Sequence, residues 1–214
     1  MAVKTYSLKK DGNKYCSKHT QVYEMKSKDG ADKILIDEKL MEMIEKLFDA
    51  MKCQKYIITS GYRTPAHDKA VGGNGSGQHT KGTAVDCYFY GADGKIISSK
   101  EVCCVAQDLG FKGIANITKK YQEVHLDMRT SGKYYGDETK GTNNVTSDFY
   151  AYYGIDKSTL YKKYGLDFDN SAELKNNIDV LKKENDALRK EIAALKSNID
   201  LLNDKIDAAK KALQ

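Results

Sequence analysis

From Asn170 to Gln214 the chain holds no glycine, proline or aromatic residue, and its apolar side chains recur every seven positions. One series is Ile178, Asn185, Ile192, Ile199, Ile206 and Leu213; the other is Leu174, Leu181, Leu188, Leu195, Leu202 and Ala209. These are the a and d positions of a coiled coil held for about six heptads, since a globular surface helix seldom keeps a strict 3.5-residue stripe so long. Isoleucine at a with leucine at d favours a parallel pair. Asn185 interrupts the a series, and an asparagine that bonds its own copy across the axis selects both register and dimer at some cost in stability. Each g residue then meets the following e residue of the partner, which sets Glu184 against Arg189 and Glu191 against Lys196, while Lys205 faces Lys210 and the last heptads fray. The expectation is a parallel homodimer through residues 170-214. The alternative is a long helix folded back on its own domain.

A helix of that kind contributes no globular core, so the core must come from the residues before it. A tyrosine-rich stretch, 148-169, in which "YYGID" and "KYGLD" echo each other, reads as a linker whose tyrosines form a wall-contacting patch or pack the domain edge against the root of the long helix, and it leaves 1-147 as the folded domain. With 40% hydrophobic and 30% charged residues the chain reads as globular. No run approaches the ~20 apolar residues of a membrane span. The +5 net charge comes without a basic stripe interleaved with aromatics, so nucleic acid is not an expected partner. The start, "MAVKTYSLKKDGNKYC", lacks the apolar core of a signal peptide, which predicts a chain made in the cytoplasm and kept there unless something else releases it. The five cysteines show no CxxC spacing and read as reduced thiols.

Within 1-147, residues 37 to 51 place Leu40, Met43, Ile44, Leu47, Phe48 and Met51 on one helical face, with Asp37 as N-cap. Residues 55–60 are β-branched, and 84–90 and 123–129 alternate as strands do. Ser98 and Glu101 have the spacing of a capping box for a helix that Gly110 closes. Strands and helices mix without a βαβ rhythm, so the expected class is α+β.

Chemistry concentrates in "SGQHTKGTAVD", residues 76–86, and "YQEVHLDMR", residues 121–129. Alternation sends Val85, Cys87 and Phe89 to the core and Asp86 to the opposite face; it likewise buries Val124 and Leu126 and turns Glu123, His125 and Asp127 outward. The glycines around His79 let its turn curl alongside Asp86. Two histidines and an aspartate make a three-ligand zinc site with one open position, and a nearby carboxylate would take a proton from the metal's water. On spacing alone these histidines also read as an exposed loop residue and a hydrogen-bonded strand residue. His67 follows Arg63 closely enough to line a cleft; His19 carries no signal.

"SGYRTP", "GGNGSGQHTKGTAVD" and "EVHLD", in that order, resemble the zinc D-Ala-D-Ala peptidase family, peptidase M15, over roughly residues 35 to 135. That family includes D-alanyl-D-alanine carboxypeptidases and phage endolysins that cut between L-alanine and D-glutamate. The resemblance implies a small antiparallel sheet with flanking helices holding zinc through His79, Asp86 and His125, followed here by the parallel coiled-coil helix. It makes Arg63 the cation that meets a peptide carboxylate or the developing oxyanion, the plain alternative for this residue being an ordinary salt bridge. It implies peptidoglycan peptide as substrate and, without a signal peptide, release to the wall through a holin-type membrane hole. Two positions depart from the family pattern. Gly77 stands where a serine is expected, with Ser76 one place earlier. Gln122 stands where several members carry the acid/base, so Glu123 is the first choice for that part, and Asp127 is either the base or a partner that orients His125. A zinc-stabilised wall-binding or scaffolding module with weakened catalysis is the alternative reading.

Overall fold

Asp37 ends one element and starts another, and the two together set the frame of the domain. In the computed structural model, which describes residues 3–166 and 171–212, the elements in order are β1 (Val3–Ser7), α1 (Leu8–Asp11), β2 (Lys33–Asp37), α2 (Glu38–Ala50), β3 (Cys53–Ser60), α3 (Pro65–Ala70), β4 (Ala84–Gly91), α4 (Ser99–Leu109), β5 (Gly113–Thr118), β6 (Glu123–Asp127), β7 (Tyr134–Asp137), α5 (Phe149–Tyr153), α6 (Lys157–Tyr164) and α7 (Ser171–Ala212). Asp37 Oδ1 accepts from Lys39 N at 2.7 Å and Leu40 N at 3.2 Å, satisfying donors that the first turn of α2 leaves open. The fold is α+β. β1 and β2 form an antiparallel pair, and the main sheet runs β3-β4-β6-β5-β7. Its neighbours are antiparallel except β5 and β7, which pair in parallel.

Helices α2 and α4 cover one face of this sheet. Leu40, Ile44 and Leu47 of α2 and Val102, Val105 and Ala106 of α4 are fully buried with Val85, Cys87, Phe89, Ile114, Val124 and Leu126 of the strands. Burying a side chain of that size stabilises by about 1.5–3 kcal/mol, so this layer fixes which sheet face is core and which is open. The open face carries Asp86 and His125.

The capping box at Ser98 does not form. Ser98 caps α4 without a side-chain bond, and Gln122 Oε1 instead accepts from Ser99 N and Ser99 Oγ, both at 3.2 Å. Glu101 turns away to Lys163 at 2.7 Å and to the Tyr164 hydroxyl at 2.5 Å. That second contact belongs to a wider set made by the tyrosine-rich segment. The segment expected as a linker is helical in α5 and α6, with Phe149, Tyr150, Leu160 and Tyr164 buried. Asp148 and Asp156 cap the two helices, and Gly154 and Gly165, in the left-handed region at φ 64° and 62°, end them. Asp108 of α4 receives the hydroxyls of Tyr150 at 2.5 Å and Tyr161 at 2.7 Å. The tyrosines that suggested a linker are thus the anchors of two short helices.

The chain divides into two compact units, Met1–Leu166 and Asp167–Gln214. In the second, α7 runs 42 residues. Leu181, Leu188, Ile192, Leu195, Ile199, Leu202 and Ile206 are each more than half exposed along it. Leu213, the last a position, lies outside the described residues, as do 167–170. Among the described residues no helix is long and apolar enough to cross a membrane.

Candidate metal centre

The antiparallel register of β4 and β6 sets Asp86 directly opposite His125, and Ala84 opposite Asp127. Both side chains of the first pair leave the sheet on its open face, at the short spacing of cross-strand neighbours. His79 arrives from the single turn His79–Lys81, which Gly82 closes at φ 72°. A Cβ on Gly82 would lie 2.5 Å from the Leu35 carbonyl oxygen, so only glycine lets the turn sit against β2.

Three atoms converge. His79 Nε2 is 3.2 Å from both Asp86 Oδ1 and His125 Nδ1, and His125 Nδ1 is 2.9 Å from Asp86 Oδ1. The outer partners decide which of them carry protons. His79 Nδ1 is 2.7 Å from the Gly61 carbonyl oxygen, which only accepts, so the ring hydrogen sits there and Nε2 is bare. His125 Nε2 is 3.1 Å from Asp127 Oδ2, so that nitrogen donates, and Nδ1 is bare whenever the ring is neutral. Two imidazole lone pairs and a carboxylate oxygen therefore face one point. Such a set needs a cation between its members, and its donor types suit zinc. In the metal-free chain a proton meets part of that need. Burial opposes charge on His125, but the bonds to Asp127 and Asp86 outweigh it and push its pKa up to about 9. Asp86 goes the other way: burial would raise it, and its bonds to His125 and His79 hold it well below the carboxylate range.

An outer ring keeps these groups in place. Arg63 NH2 donates to Asp86 Oδ2 at 2.6 Å, Arg63 Nε donates to Ser60 Oγ at 2.8 Å, and NH1 lies 3.6 Å from Asp68 Oδ1. This turns Asp86 Oδ1 toward the histidines, and Arg63 is spent on a carboxylate of the protein itself. Asp127, fully buried, has its second partner in Arg129, whose Nε lies 3.0 Å from Oδ1 and whose NH2 lies 2.5 Å from Oδ2. Gly113 stands opposite Asp127, where a Cβ would be 1.9 Å from Oδ2, so β5 gives up a side chain to make room for this clamp.

The trio borders a cavity of about 540 Å³ lined also by Arg63, Arg129 and Tyr134. Glu123 shares the β6 face of His125 but does not line that cavity; it accepts a bond from the Thr59 hydroxyl. Of the two parts left open for Asp127, the geometry fits the orienting one, since both of its oxygens are committed. His67 lies outside the cavity lining, and its backbone N–H bonds Thr64 Oγ1 at 3.1 Å. His19 sits elsewhere in the domain, 2.6 Å from Glu45 Oε2. Ser76 Oγ bonds Asn74 at 2.9 Å within its own turn, and Gly77 lines the cavity. Sequence reasoning missed Arg129, Asp68 and the Gly61 carbonyl. Strand alternation carried past Asp127 points to Arg129, whereas nothing local marks the other two.

Replacing Asp127 by asparagine is expected to weaken zinc binding about 10- to 100-fold, the usual loss when a group that orients a metal-binding histidine is altered. Competition against a chelator of known affinity measures it.

A family model described as Peptidase M15 matches residues 15–127, more than half of the chain and all three converging residues. No curated protein and no solved structure matches.

Proposed function

The chain belongs to the peptidase M15 family, and from that premise we propose that it is a zinc-dependent peptidase acting on the peptide of bacterial peptidoglycan. The observation that carries this reading is the convergence of two imidazole nitrogens and a carboxylate oxygen, none more than 3.2 Å from another, at the wall of a cavity. His79, Asp86 and His125 would hold the zinc, which when bound would supply a Lewis acid for the scissile carbonyl and a water of near-neutral pKa. The protein supplies the rest. The Gly61 carbonyl and Asp127 fix the two histidine tautomers, and Arg63 fixes the rotation of Asp86. Glu123 shares the strand face of His125 but is held by Thr59 outside the cavity lining, so it must give up that bond to take the proton from the attacking water and pass it to the leaving amine, the part we assign it. Arg63 and Arg129 also line the cavity, and the guanidinium N–H groups they do not use on Asp86 and Asp127 suit the carboxylates of a peptidoglycan stem peptide or a developing oxyanion.

The bond cut is the terminal D-Ala-D-Ala amide or the L-Ala-D-Glu amide, and the site of action we assign is the cell wall, where both occur. Digestion of purified peptidoglycan, with the new termini read by mass spectrometry, tells them apart. The expected product is free D-alanine in the first case and a new D-glutamate amino terminus in the second. Zinc-loaded protein that yields neither contradicts the reading and favours a metal-stabilised wall-binding module.

The second unit serves avidity in this account. A 42-residue helix spans about 63 Å, and its half-exposed isoleucines and leucines fit a second copy of the same stripe. In the single chain Asn185 Oδ1 is occupied by Arg189 Nε at 3.1 Å, a bond that pairing would exchange for one to Asn185 of the second copy. Light scattering at tens of micromolar is expected to give a dimer, and Asn185→Ile to shift it toward higher oligomers. A persistent monomer contradicts the pairing. Two linked heads on one polymer gain affinity with no new contact.

A further inference from the structure

The sheet face that carries Asp86 and His125 continues past them as a strip of tyrosine. Tyr88 and Tyr90 are the next outward residues of β4, and the β3 register places Ile57 opposite Tyr88 and Lys55 opposite Tyr90. Tyr121, just before β6, joins from the other side. The Tyr88 ring centroid is 5.6 Å from that of Tyr90 and 6.2 Å from that of Tyr121, the latter pair only 25° from parallel. Tyr121 is 45% exposed and Ile57 37%. Lys55 Nζ lies 4.3 Å from the Tyr90 ring centre and Lys120 Nζ 4.9 Å from that of Tyr121.

The core does not ask for this. It lies on the opposite face, and the solvent side of an antiparallel pair is ordinarily polar. At about 3.4 Å per residue the strip starts about 7 Å along β4 from Asp86 and reaches Tyr90 at about 14 Å, so it is continuous with the metal centre. Aromatic rings carry negative faces and positive edges. That suits the apolar C–H face of a pyranose, while the phenol hydroxyls and the two ammonium groups suit its hydroxyl and acetamido substituents. A single-stranded nucleic acid also stacks on tyrosine, but it needs a basic groove along its backbone, and here two lysines flank three rings. Resting on the reading of the chain as a wall peptidase, whose peptide substrate is borne on a sugar, we propose that Tyr88, Tyr90 and Tyr121 form a subsite for the N-acetylated saccharide attached to the peptide being cut.

The test compares hydrolysis of a stem peptide with and without its sugar by wild type, Tyr121→Ala and Tyr88→Leu, the last keeping apolar bulk in the sheet. The preference for the sugar-bearing peptide, taken as the ratio of the two kcat/KM values, is expected to fall roughly 3- to 10-fold per tyrosine, through KM. In parallel, N-acetylglucosamine oligomers titrated into full-length wild type should shift the NMR ring signals of these tyrosines. That readout does not depend on hydrolysis, so a chain that cuts neither peptide yet shows the shifts loses the peptidase reading and keeps the subsite. Equal loss on both peptides, or no ring shift at millimolar oligomer, overturns the subsite. So does a shift produced by a single-stranded oligonucleotide and not by the sugar.

Discussion

His79→Ala and His125→Ala are each expected to lose stoichiometric zinc and to lower peptide hydrolysis by about 10³-fold or more. The metal's charge stabilisation in the transition state is worth several kcal/mol, and each ~1.4 kcal/mol is a factor of ten. Stability should move with it. A ligand that binds only the folded chain adds about 3–4 kcal/mol at 100 to 1,000 times its dissociation constant, so chelation should lower the melting temperature by roughly 10 °C. pH sets the size of that drop. The His125 pKa rises from its ordinary 6.5 to about 9 in the metal-free fold. The proton's contribution to stability is therefore full below 6.5 and lost as pH climbs through 9. Zinc takes the proton's place, so the stabilisation it brings should grow across that window. Melting curves with and without chelator at several pH values check both the magnitude and the direction.

Glu123→Gln is expected to keep its zinc and lose about 10²–10⁴ in kcat, the range of general acid–base catalysis. The amide conserves shape and the Thr59 contact but accepts no proton. Asp127→Asn should behave in the opposite sense, losing metal affinity first and activity only as the site empties. Zinc content measured beside kcat separates the two. If the asparagine variant stays loaded and dead while the glutamine variant works, the roles assigned to these carboxylates are exchanged.

Local rules made part of this molecule legible. The 3.6-residue period and the Asp37 cap gave α2, and alternation gave β4, β6 and the face on which each places its polar residues. The residue types of the candidate metal centre stood out locally, since His79, Asp86 and His125 occupy positions where a packed core has no use for them, but the likeness to a known family, and not spacing, set them apart from ordinary loop and strand residues. Register was not visible. That Asp86 falls opposite His125 depends on pairing two strands far apart in sequence, which no local pattern encodes. The partners of the ligands were hidden likewise: Arg63 looks free for substrate until the fold brings Asp86 and Asp68 to it, and Gly113 gains meaning only beside Asp127. At Ser98 a good local signal was overruled from a distance, because the Glu101 carboxylate that the box needs bonds Lys163 and Tyr164 while Gln122 takes the Ser99 N–H. The helices of the tyrosine-rich segment were hidden for the converse reason. α5 and α6 are too short for periodicity to declare them, and bonds to Asp108 and Glu101 on α4 help hold them.

Stepwise addition of zinc to metal-free protein, with hydrolysis of purified peptidoglycan followed on the same samples, tests the central claim most directly. Activity should rise in proportion to zinc and level off at one ion per chain, and neither binding nor activity should appear in His125→Ala. Full hydrolysis before any zinc is added, or zinc bound at one per chain in the alanine variant, would contradict the assignment of this trio as the catalytic metal centre.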